Sequence, residues 1–475
     1  MTVLVETRPS VSSARSPRAW SRQSQLNNVL AYALIVFVAL VPVPFGSHRP
    51  FFWAVNAAIV GAIGAIYLWR LGRLGEQPHR RLASYWPSAV LYVGVGLWLV
   101  IQDLPAGILG PLADVVRPHL AVVARSGASI AVGSISVAPD ATLLMLLRWA
   151  TYGMFYFLVL QIASNERRRE LILHAVLAIV TFYAMFGLGS LLQFGDTILG
   201  LKKWTYEGSA TATFVNRNSF ATFLAFGAVV AVSLICGSFV SRTDETGSLS
   251  GRRFDPVVLL YLVALAAIVA ALLATQSRMG TFAATVGCVV VALTGISRMS
   301  GLWARALLLL PLLVGVLGLA VYVFGQNLVD RLGSLESSAD VRFDLYAQVI
   351  EMIMARPWIG YGGGSFELAY PLFHQLPVSP DLVWDRAHNS YLALFAELGV
   401  VAGGAVLVLL GLALVRVLSR LAKARAEWPA RAAALGVIIV AAVHSLVDFS
   451  LEIQANTILF LLIVGLGAMD ARKPR

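Results

Sequence analysis

The sequence predicts an all-α, polytopic membrane protein with about twelve transmembrane helices, and three observations predict it. Hydrophobic residues make up 58% of the 475-residue chain and charged residues only 13%, whereas a soluble domain carries about 25% charged residues. Apolar runs close to the roughly 20 residues that span a bilayer recur along the chain. Arginine and lysine concentrate in every second connecting segment, as expected for a chain that crosses a membrane repeatedly.

Twelve apolar runs are predicted to cross the membrane, with a short polar tail at each end. Residues 1–26 are polar and rich in Ser and Arg, so they are predicted to be a disordered cytoplasmic tail. Residues 27–470 form the transmembrane helical domain, and residues 471–475 form a second cytoplasmic tail. The predicted spans are about 27–45, 51–69, 85–102, 141–163, 170–194, 213–240, 256–276, 281–297, 304–324, 389–415, 432–450 and 455–470.

The distribution of positive charge predicts that both termini lie in the cytoplasm. With the N-terminus inside, the cytoplasmic segments hold 24 of the 36 Lys and Arg residues, and each segment holds at least two. The net charge of +11 is therefore attributed to membrane topology, and no nucleic-acid partner is predicted. The sequence contains no metal-ligand spacing, Walker motif or nucleophile elbow, so neither a metal nor a cofactor is predicted.

The longest polar interruption is predicted to be a large external loop over residues 325–388. Its glycine-rich run, residues 360–365, favours a tight turn over an anion-binding nest. A second external loop, residues 103–140, is either re-entrant or interfacial. Apolar side chains at helical spacing also predict an amphipathic helix that Pro357 ends, with an apolar stripe of Tyr346, Val349, Ile350 and Ile353.

Two arginines at the external ends of predicted helices are candidates for binding an anion. Arg217 lies in the first turn of the sixth helix between Asn216 and Asn218, where the helix dipole also favours negative charge. Arg278 lies in a four-residue turn between the seventh and eighth helices, on the same predicted side. The alternatives are an arginine that reaches the lipid headgroups and a simple charged turn.

His388 is the candidate general base, because it directly precedes the tenth predicted helix. Asn389 or Ser390 is predicted to cap this helix, and Arg386 lies just before it. The positive end of the helix dipole disfavours the charged imidazolium, so a neutral imidazole is expected. The residues alone leave open a histidine that only caps the helix or lies at the membrane interface.

Four further polar residues fall within predicted spans. His444 and Asp448 are four residues apart on one predicted helix face, and a buried structural pair is favoured over a role in the site. Glu397 lies nine residues beyond His388, about half a turn around a helix, so a direct relay between the two is not expected. The roles of Glu397 and Arg148 stay open.

Five segments, in this order, resemble the O-antigen ligase family over about residues 140–470: FVNRNSFATFLA, TQSRMG, RFDLYAQVIEMIMARPWIGYGGGSF, AHNSYLALFAELG and HSLVDFSLEIQANTILF. The resemblance implies a many-helix membrane enzyme with a large periplasmic loop over a cavity. It also implies transfer of a glycan from undecaprenyl pyrophosphate to an acceptor sugar hydroxyl, without a metal. Carried over by motif, Arg217 and Arg278 would hold the pyrophosphate and His388 would activate the hydroxyl.

The resulting hypothesis is an inverting O-antigen ligase of the bacterial inner membrane, with its site facing the periplasm and lipid A–core as the acceptor. Two alternatives remain. The first is a polymerase of the same family, whose acceptor is a growing glycan. The second is a polytopic transporter, which an even helix count with both termini inside would suit. Besides donor and acceptor, membrane lipids are the expected partners.

Overall fold

Helices dominate the structure, a computed structural model that describes residues 17–78, 85–110, 133–246, 256–298, 315, 336–421 and 427–469. The all-α class is confirmed, and the only sheet in these residues is a small antiparallel hairpin of β1 (Thr197–Ile198) and β2 (Leu201–Lys202). The helices are α1 (Pro17–Leu40), α2 (Pro50–Arg73), α3 (Trp86–Asp103), α4 (Pro139–Ile162), α5 (Glu166–Leu192), α6 (Arg217–Thr246), α7 (Pro256–Ala274), α8 (Arg278–Ile296), α9 (Glu336–Ala355), α10 (Phe366–Ala369), α11 (Ser390–Leu421), α12 (Trp428–His444) and α13 (Gln454–Gly467).

The chain is a multi-pass membrane protein, because eight helices in the described residues are long and apolar enough to cross a bilayer. The helices α12 and α13 are apolar but shorter, with 17 and 14 residues. Eleven of the twelve predicted spans overlap a helix of the structure. The remaining one, 304–324, lies outside the described residues except for residue 315, so the total of twelve stays a prediction.

Two helix boundaries differ from the prediction. Helix α1 begins at Pro17, so helix replaces the predicted disorder over residues 17–26. Helix α12 ends at His444, whereas the predicted span continued to residue 450. Beyond this point, the carbonyls of Ser445 and Leu446 accept hydrogen bonds from the start of α11. The prediction that His444 and Asp448 share one helix face is therefore wrong, since Asp448 lies in the turn after α12.

Helix α6 lies at the centre of the bundle, in contact with α5, α7, α8, α12 and α13. Most of its membrane-spanning part is buried inside the protein. Small residues bring its neighbours together: a Cβ atom on Gly287 of α8 would lie 3.0 Å from the carbonyl oxygen of Gly436 in α12. The central helix is thus held on several sides, and the position of its first turn is fixed by this packing.

The described connecting segments form two separate sets of contacts. In the first set, Arg169 donates to the carbonyl of Met469 at 2.9 Å and Arg298 to that of Leu421 at 2.6 Å. In the second set, the large loop contacts the segment before α4 through the amide of Val137, which donates to the carbonyl of Tyr361 at 2.9 Å, and the segment after α12 through Asn389. The assignment of the arginine-rich segments to the cytoplasm stays a prediction from the charge bias.

The large loop has a hydrophobic core of its own, which confirms the predicted amphipathic helix. Helix α9 buries Leu345, Val349 and Met352 completely, and the start of α11 contributes Ala396 to the same cluster. The predicted stripe is wrong at Ile350, which is 49% exposed. The buried face is rotated toward Leu345 and Met352 because the loop core packs against that side of the helix.

The glycine-rich run, residues 360–365, forms the predicted tight turn and also packs against a break in α11. Gly399 interrupts the helical backbone of α11 at φ 75°, ψ 167°. Gly360 has a positive φ of 64°, and a Cβ atom there would lie 2.3 Å from the carbonyl oxygen of Glu397. The amides of Tyr361 and Gly362 donate to the carbonyls of Ala396 and Glu397 at 3.0 and 2.9 Å. The loop is therefore joined backbone to backbone to α11.

We expect Gly360→Ala to destabilise the protein by about 2–5 kcal/mol, since left-handed strain adds to overpacking against the α11 backbone. The measurement is the thermal unfolding of purified protein in detergent. Gly404→Ala in α11 is the matched control, because no atom lies within 4 Å of a Cβ at that position. Equal unfolding temperatures for the two variants would contradict the close contact.

Candidate functional site

The first turn of α6 presents a cation without an ionic partner among the described residues. The guanidinium of Arg217 lies 5.3 Å from the ring centroid of Tyr206, and Nη1 donates to Ser209 Oγ at 3.4 Å. Its Nε is buried and has no hydrogen-bond partner in the described part of the chain. Asn216 Oδ1 accepts from the amide of Asn218 at 2.7 Å and caps the helix. This arrangement leaves Arg217 able to bind an anion.

The first turn of α8 packs directly against that of α6. Ser277 caps α8 by accepting from the amide of Gly280 at 3.3 Å, and its Oγ donates to Asn218 Oδ1 at 2.8 Å. A Cβ atom on Gly280 would lie 2.6 Å from that of Ala221 in α6. Arg278 is half-buried and is the first residue of α8. Because the first turns of α8 and α6 are in contact, Arg278 lies near the start of α6. The structure thus brings the two predicted arginines to the same end of the bundle.

Asp448 lies in the turn between α12 and α13 and connects it to α6. Its Oδ1 accepts from Asn218 Nδ2 at 3.2 Å, its Oδ2 accepts from Ser450 Oγ, and the residue is only 1% exposed. His444 does not bond to this carboxylate; its Nδ1 pairs with Thr222 Oγ1 at 2.6 Å. The two residues are both buried as predicted, but each has its own partner on α6.

His388 immediately precedes the start of α11, in a left-handed backbone conformation with φ 51°. Its carbonyl accepts from the hydroxyl of Tyr346 at 2.8 Å, and its ring lies edge-on to Phe449 at a centroid distance of 5.1 Å. The ring atom Nδ1 is buried and has no hydrogen-bond partner among the described residues. The ring therefore keeps one nitrogen whose hydrogen-bonding capacity no described residue uses.

Asn389 is the capping residue of α11, as predicted. Its Oδ1 accepts from the amides of Tyr391 and Leu392 at 3.0 and 3.1 Å, and its Nδ2 donates to the carbonyl of Leu446 at 2.9 Å. The cap therefore also ties the start of α11 to the turn that carries Asp448.

Burial lowers the pKa of His388 below its ordinary value. The charge of Asp448 opposes this effect, and the charge of Arg342 adds to it. Tyr206 lies near the same groups: burial raises the pKa of its hydroxyl, Asp448 raises it further, and Arg217 and Arg342 lower it. The charges of Asp448 and Arg342 therefore act on both the candidate base and Tyr206, and that of Arg217 acts on Tyr206.

Arg342 is the site residue that the sequence analysis missed. It lies on α9 one turn before Tyr346, whose hydroxyl contacts the backbone of His388. The pair is four residues apart, so both side chains lie on one face of the helix. In the sequence, the one pointer to Arg342 was its position four residues before Tyr346, at the polar edge of the amphipathic helix. That position indicates a role in the site only once Tyr346 is seen to contact the backbone of His388.

Three other residues lie near the site, and each has a partner of its own. Glu397 lies under the glycine-rich turn, where its Oε1 accepts from the amide of Phe366 at 3.3 Å. Arg148 lies 4.5 Å from the ring centroid of Trp53 and donates to the backbone carbonyl of Glu452. Arg386 forms an ion pair with the Glu452 carboxylate at 3.0 Å.

No three His, Cys, Asp or Glu side chains within the described ranges come together as metal ligands. Metal-independent chemistry stays a prediction from the sequence and the resemblance. What the described site offers is a neutral imidazole, a buried carboxylate and arginines at helix ends, which suits proton transfer beside an anionic group.

We expect His388 to become protonated only below pH 6.5, the ordinary value for histidine, because burial disfavours its charged form. The pH dependence of its modification by diethyl pyrocarbonate, followed by mass spectrometry of the peptide, measures this titration. Arg342→Gln should raise the midpoint by removing a positive neighbour, and Asp448→Asn should lower it. A wild-type midpoint above 6.5 would contradict the buried environment.

A model of the O-antigen ligase family matches residues 262–407. The matched segment begins within α7 and ends within α11, so it contains Arg278, Arg342 and His388. Arg217 and Asp448 lie outside it and join the same site through the contacts of Asn218 and Tyr206. No curated protein matches the chain significantly. The match and the helical, multi-pass architecture together support the assignment of this chain to the O-antigen ligase family.

Proposed function

We propose that the protein is an inverting, metal-independent glycan transferase of O-antigen ligase type. It takes a glycan from undecaprenyl pyrophosphate and transfers it to a sugar hydroxyl of lipid A–core at the periplasmic face of the bacterial inner membrane. The family match supports glycan transfer by an O-antigen ligase or a related polymerase.

One observation carries the proposal: a cation without an ionic partner and a histidine with a lowered pKa share the same surroundings. Arg217 has no ion pair among the described residues, and His388 Nδ1 has no hydrogen-bond partner there. Arg217 lies 5.3 Å from the ring centroid of Tyr206, and the charge of Asp448 raises the pKa of both Tyr206 and His388. A pyrophosphate needs the first group and a nucleophilic hydroxyl needs the second.

The reaction is a single displacement. The acceptor hydroxyl gives its proton to neutral His388 as its oxygen bonds to the anomeric carbon of the donor sugar. The bond from that carbon to the pyrophosphate oxygen breaks, and the electron pair leaves with the pyrophosphate. Arg217 and Arg278 stabilise the negative charge that grows on the leaving group, and Arg342 adds positive potential from the loop side. Because one displacement occurs, the anomeric centre inverts.

Purified protein with a lipid-linked oligosaccharide donor and lipid A–core acceptor, in buffer containing EDTA, tests the transfer. The expected product is the glycosylated acceptor with inverted anomeric stereochemistry, together with free undecaprenyl pyrophosphate. A covalent glycosyl-enzyme, retained stereochemistry or a requirement for added metal would contradict this mechanism. Movement of an intact lipid-linked glycan across a vesicle membrane without transfer would favour the transporter alternative.

A polymerase of the same family shares the donor and the proposed base, so it differs only in the acceptor. A deletion strain separates the two functions. Loss of a ligase leaves long glycans on the lipid carrier and unmodified lipid A–core. Loss of a polymerase leaves single repeat units on the core, or no polymer.

We expect His388→Ala to lower kcat by about 10²–10⁴-fold, because the acceptor hydroxyl loses its general base. Donor binding should change little, since the proposed pyrophosphate contacts remain. Transfer assays at saturating donor measure kcat. His374→Gln, another loop histidine whose Nε2 pairs with the carbonyl of Val378 at 3.1 Å, is the control and should keep full activity. A His388→Ala enzyme within a few-fold of wild type would exclude the base assignment.

We expect Arg217→Lys to lower kcat/KM for the donor about 10- to 100-fold, since hydrogen bonds to charged groups contribute about 1.5–3 kcal/mol and lysine lacks the planar fork. The dependence of transfer rate on donor concentration measures this loss. The matched control is Arg356→Lys, in which an arginine also lies over a tyrosine, 4.7 Å from the ring centroid of Tyr361. Equal kinetics for both variants would point instead to a headgroup contact for Arg217.

A further inference from the structure

An ion pair joins the large loop to the turn between α12 and α13, two residues before His388. Arg386 Nη1 lies 3.0 Å from Glu452 Oε2, and the two side chains are 25% and 23% exposed. Glu452 ends the 3-10 turn Ser450–Glu452, which directly precedes α13. Both side chains are mostly shielded from water, so separating them would leave each charge without its partner. The ion pair therefore restrains the two segments that carry it.

The bundle holds Glu452 from its other side. Arg148 of α4 is 6% exposed, and its Nη2 donates to the Glu452 backbone carbonyl while its guanidinium lies 4.5 Å from the ring centroid of Trp53 in α2. Burial raises the pKa of the Glu452 carboxyl, and the charges of Arg386 and Arg148 oppose that rise. A path of contacts thus leads from α2 through Arg148 and Glu452 to Arg386.

The backbone of His388 needs such restraint because its φ of 51° is unfavourable for a residue with a side chain. On its C-terminal side, Asn389 Nδ2 donates to the carbonyl of Leu446, and the amide of Ser390 donates to that of Ser445 at 2.9 Å. On its N-terminal side, Leu382 and Val383 are 61% and 80% exposed and bury little surface. The exposed segment is attached again at Trp384, which packs against the loop core, and at Arg386, which binds it to Glu452 outside the loop.

We propose that Arg148, Glu452 and Arg386 act as positioning residues, a latch that holds His388 in place for proton transfer. The assignment rests on the proposed transfer reaction for its catalytic consequence. None of the three needs to touch substrate, since their effect passes through the backbone of residues 386–388. A displacement of about 1 Å at a reacting group lowers rate by up to about 100-fold, so the latch should appear in kcat.

The test uses the full-length protein with Glu452→Gln, Arg386→Gln and the double variant. We expect each to lower kcat about 10- to 100-fold, with the KM for the donor within about 2-fold of wild type, because Arg217 and Arg278 stay in place. The double variant should be no worse than either single variant, since the partners act as one unit. Hydrogen–deuterium exchange of the peptide over residues 384–392 should accelerate about 10-fold in all three variants.

Two further variants separate positioning from a general loss of structure. Arg386→Lys keeps the positive charge and therefore the ion pair, so kcat should stay within about 3-fold of wild type. The small loss expected reflects the missing planar guanidinium. Asp381→Asn is the matched control: this exposed carboxylate lies on the same loop segment and forms no ion pair within the described residues, so kcat and exchange should be unchanged. If Glu452→Gln fails to accumulate, the two Arg386 variants decide the question.

Wild-type kcat with wild-type exchange in Arg386→Gln would overturn the latch, as would additive losses in the double variant. A rise in the KM for the donor without a fall in kcat would also overturn it. Failure of the proposed function is a separate result. A wild-type protein without transfer activity would refute the function, while the exchange data on residues 384–392 would still decide whether the latch exists.

Discussion

One asparagine side chain joins the three helix ends on which the candidate site depends. Asn218 accepts from Ser277 at the start of α8 through its oxygen and donates to Asp448 before α13 through its nitrogen. Its backbone amide donates to Oδ1 of Asn216, the residue that caps α6. Such a buried polar network is favourable only when every member has a partner, so these three ends are held in one fixed arrangement. Arg217 and Arg278, the first residues of α6 and α8, acquire their relative positions from it.

The loop adds the other half of the site by its own packing. Its core around Leu345 and Val349 fixes α9, which brings Arg342 and Tyr346 to His388. The glycine-rich turn then attaches this core to the break in α11 at Gly399. His388 and Arg342 therefore come from the loop, whereas Arg217 and Arg278 come from the helix bundle, and the contacts at Asn389, Tyr346 and Arg386 join the two parts.

Sequence patterns predicted those parts of the site that depend on residues close together in the chain. The asparagines around Arg217 and the capping role of Asn389 follow from helix-end chemistry, which acts over three or four residues. The end of α12 at His444 was not predictable, because apolar residues continue beyond it and the interruption arises from hydrogen bonds with α11. Arg342 and the Arg386–Glu452 pair were missed for the same reason: their partners are distant in sequence. Ile350 was misplaced because helical spacing fixes a stripe only to within one residue.

The length of α11 has a consequence for where the reaction would take place. Nine of its 32 residues precede the break at Gly399, and the remaining 23 would extend about 34 Å, close to the roughly 30 Å hydrocarbon thickness of a bilayer. The first nine residues, about 14 Å of helix, are therefore not needed to cross the bilayer, and they separate the membrane-crossing part of α11 from the candidate base. If the donor is lipid-anchored, as proposed, its anchor can stay among the acyl chains while the sugar it carries reacts beyond the spanning segment.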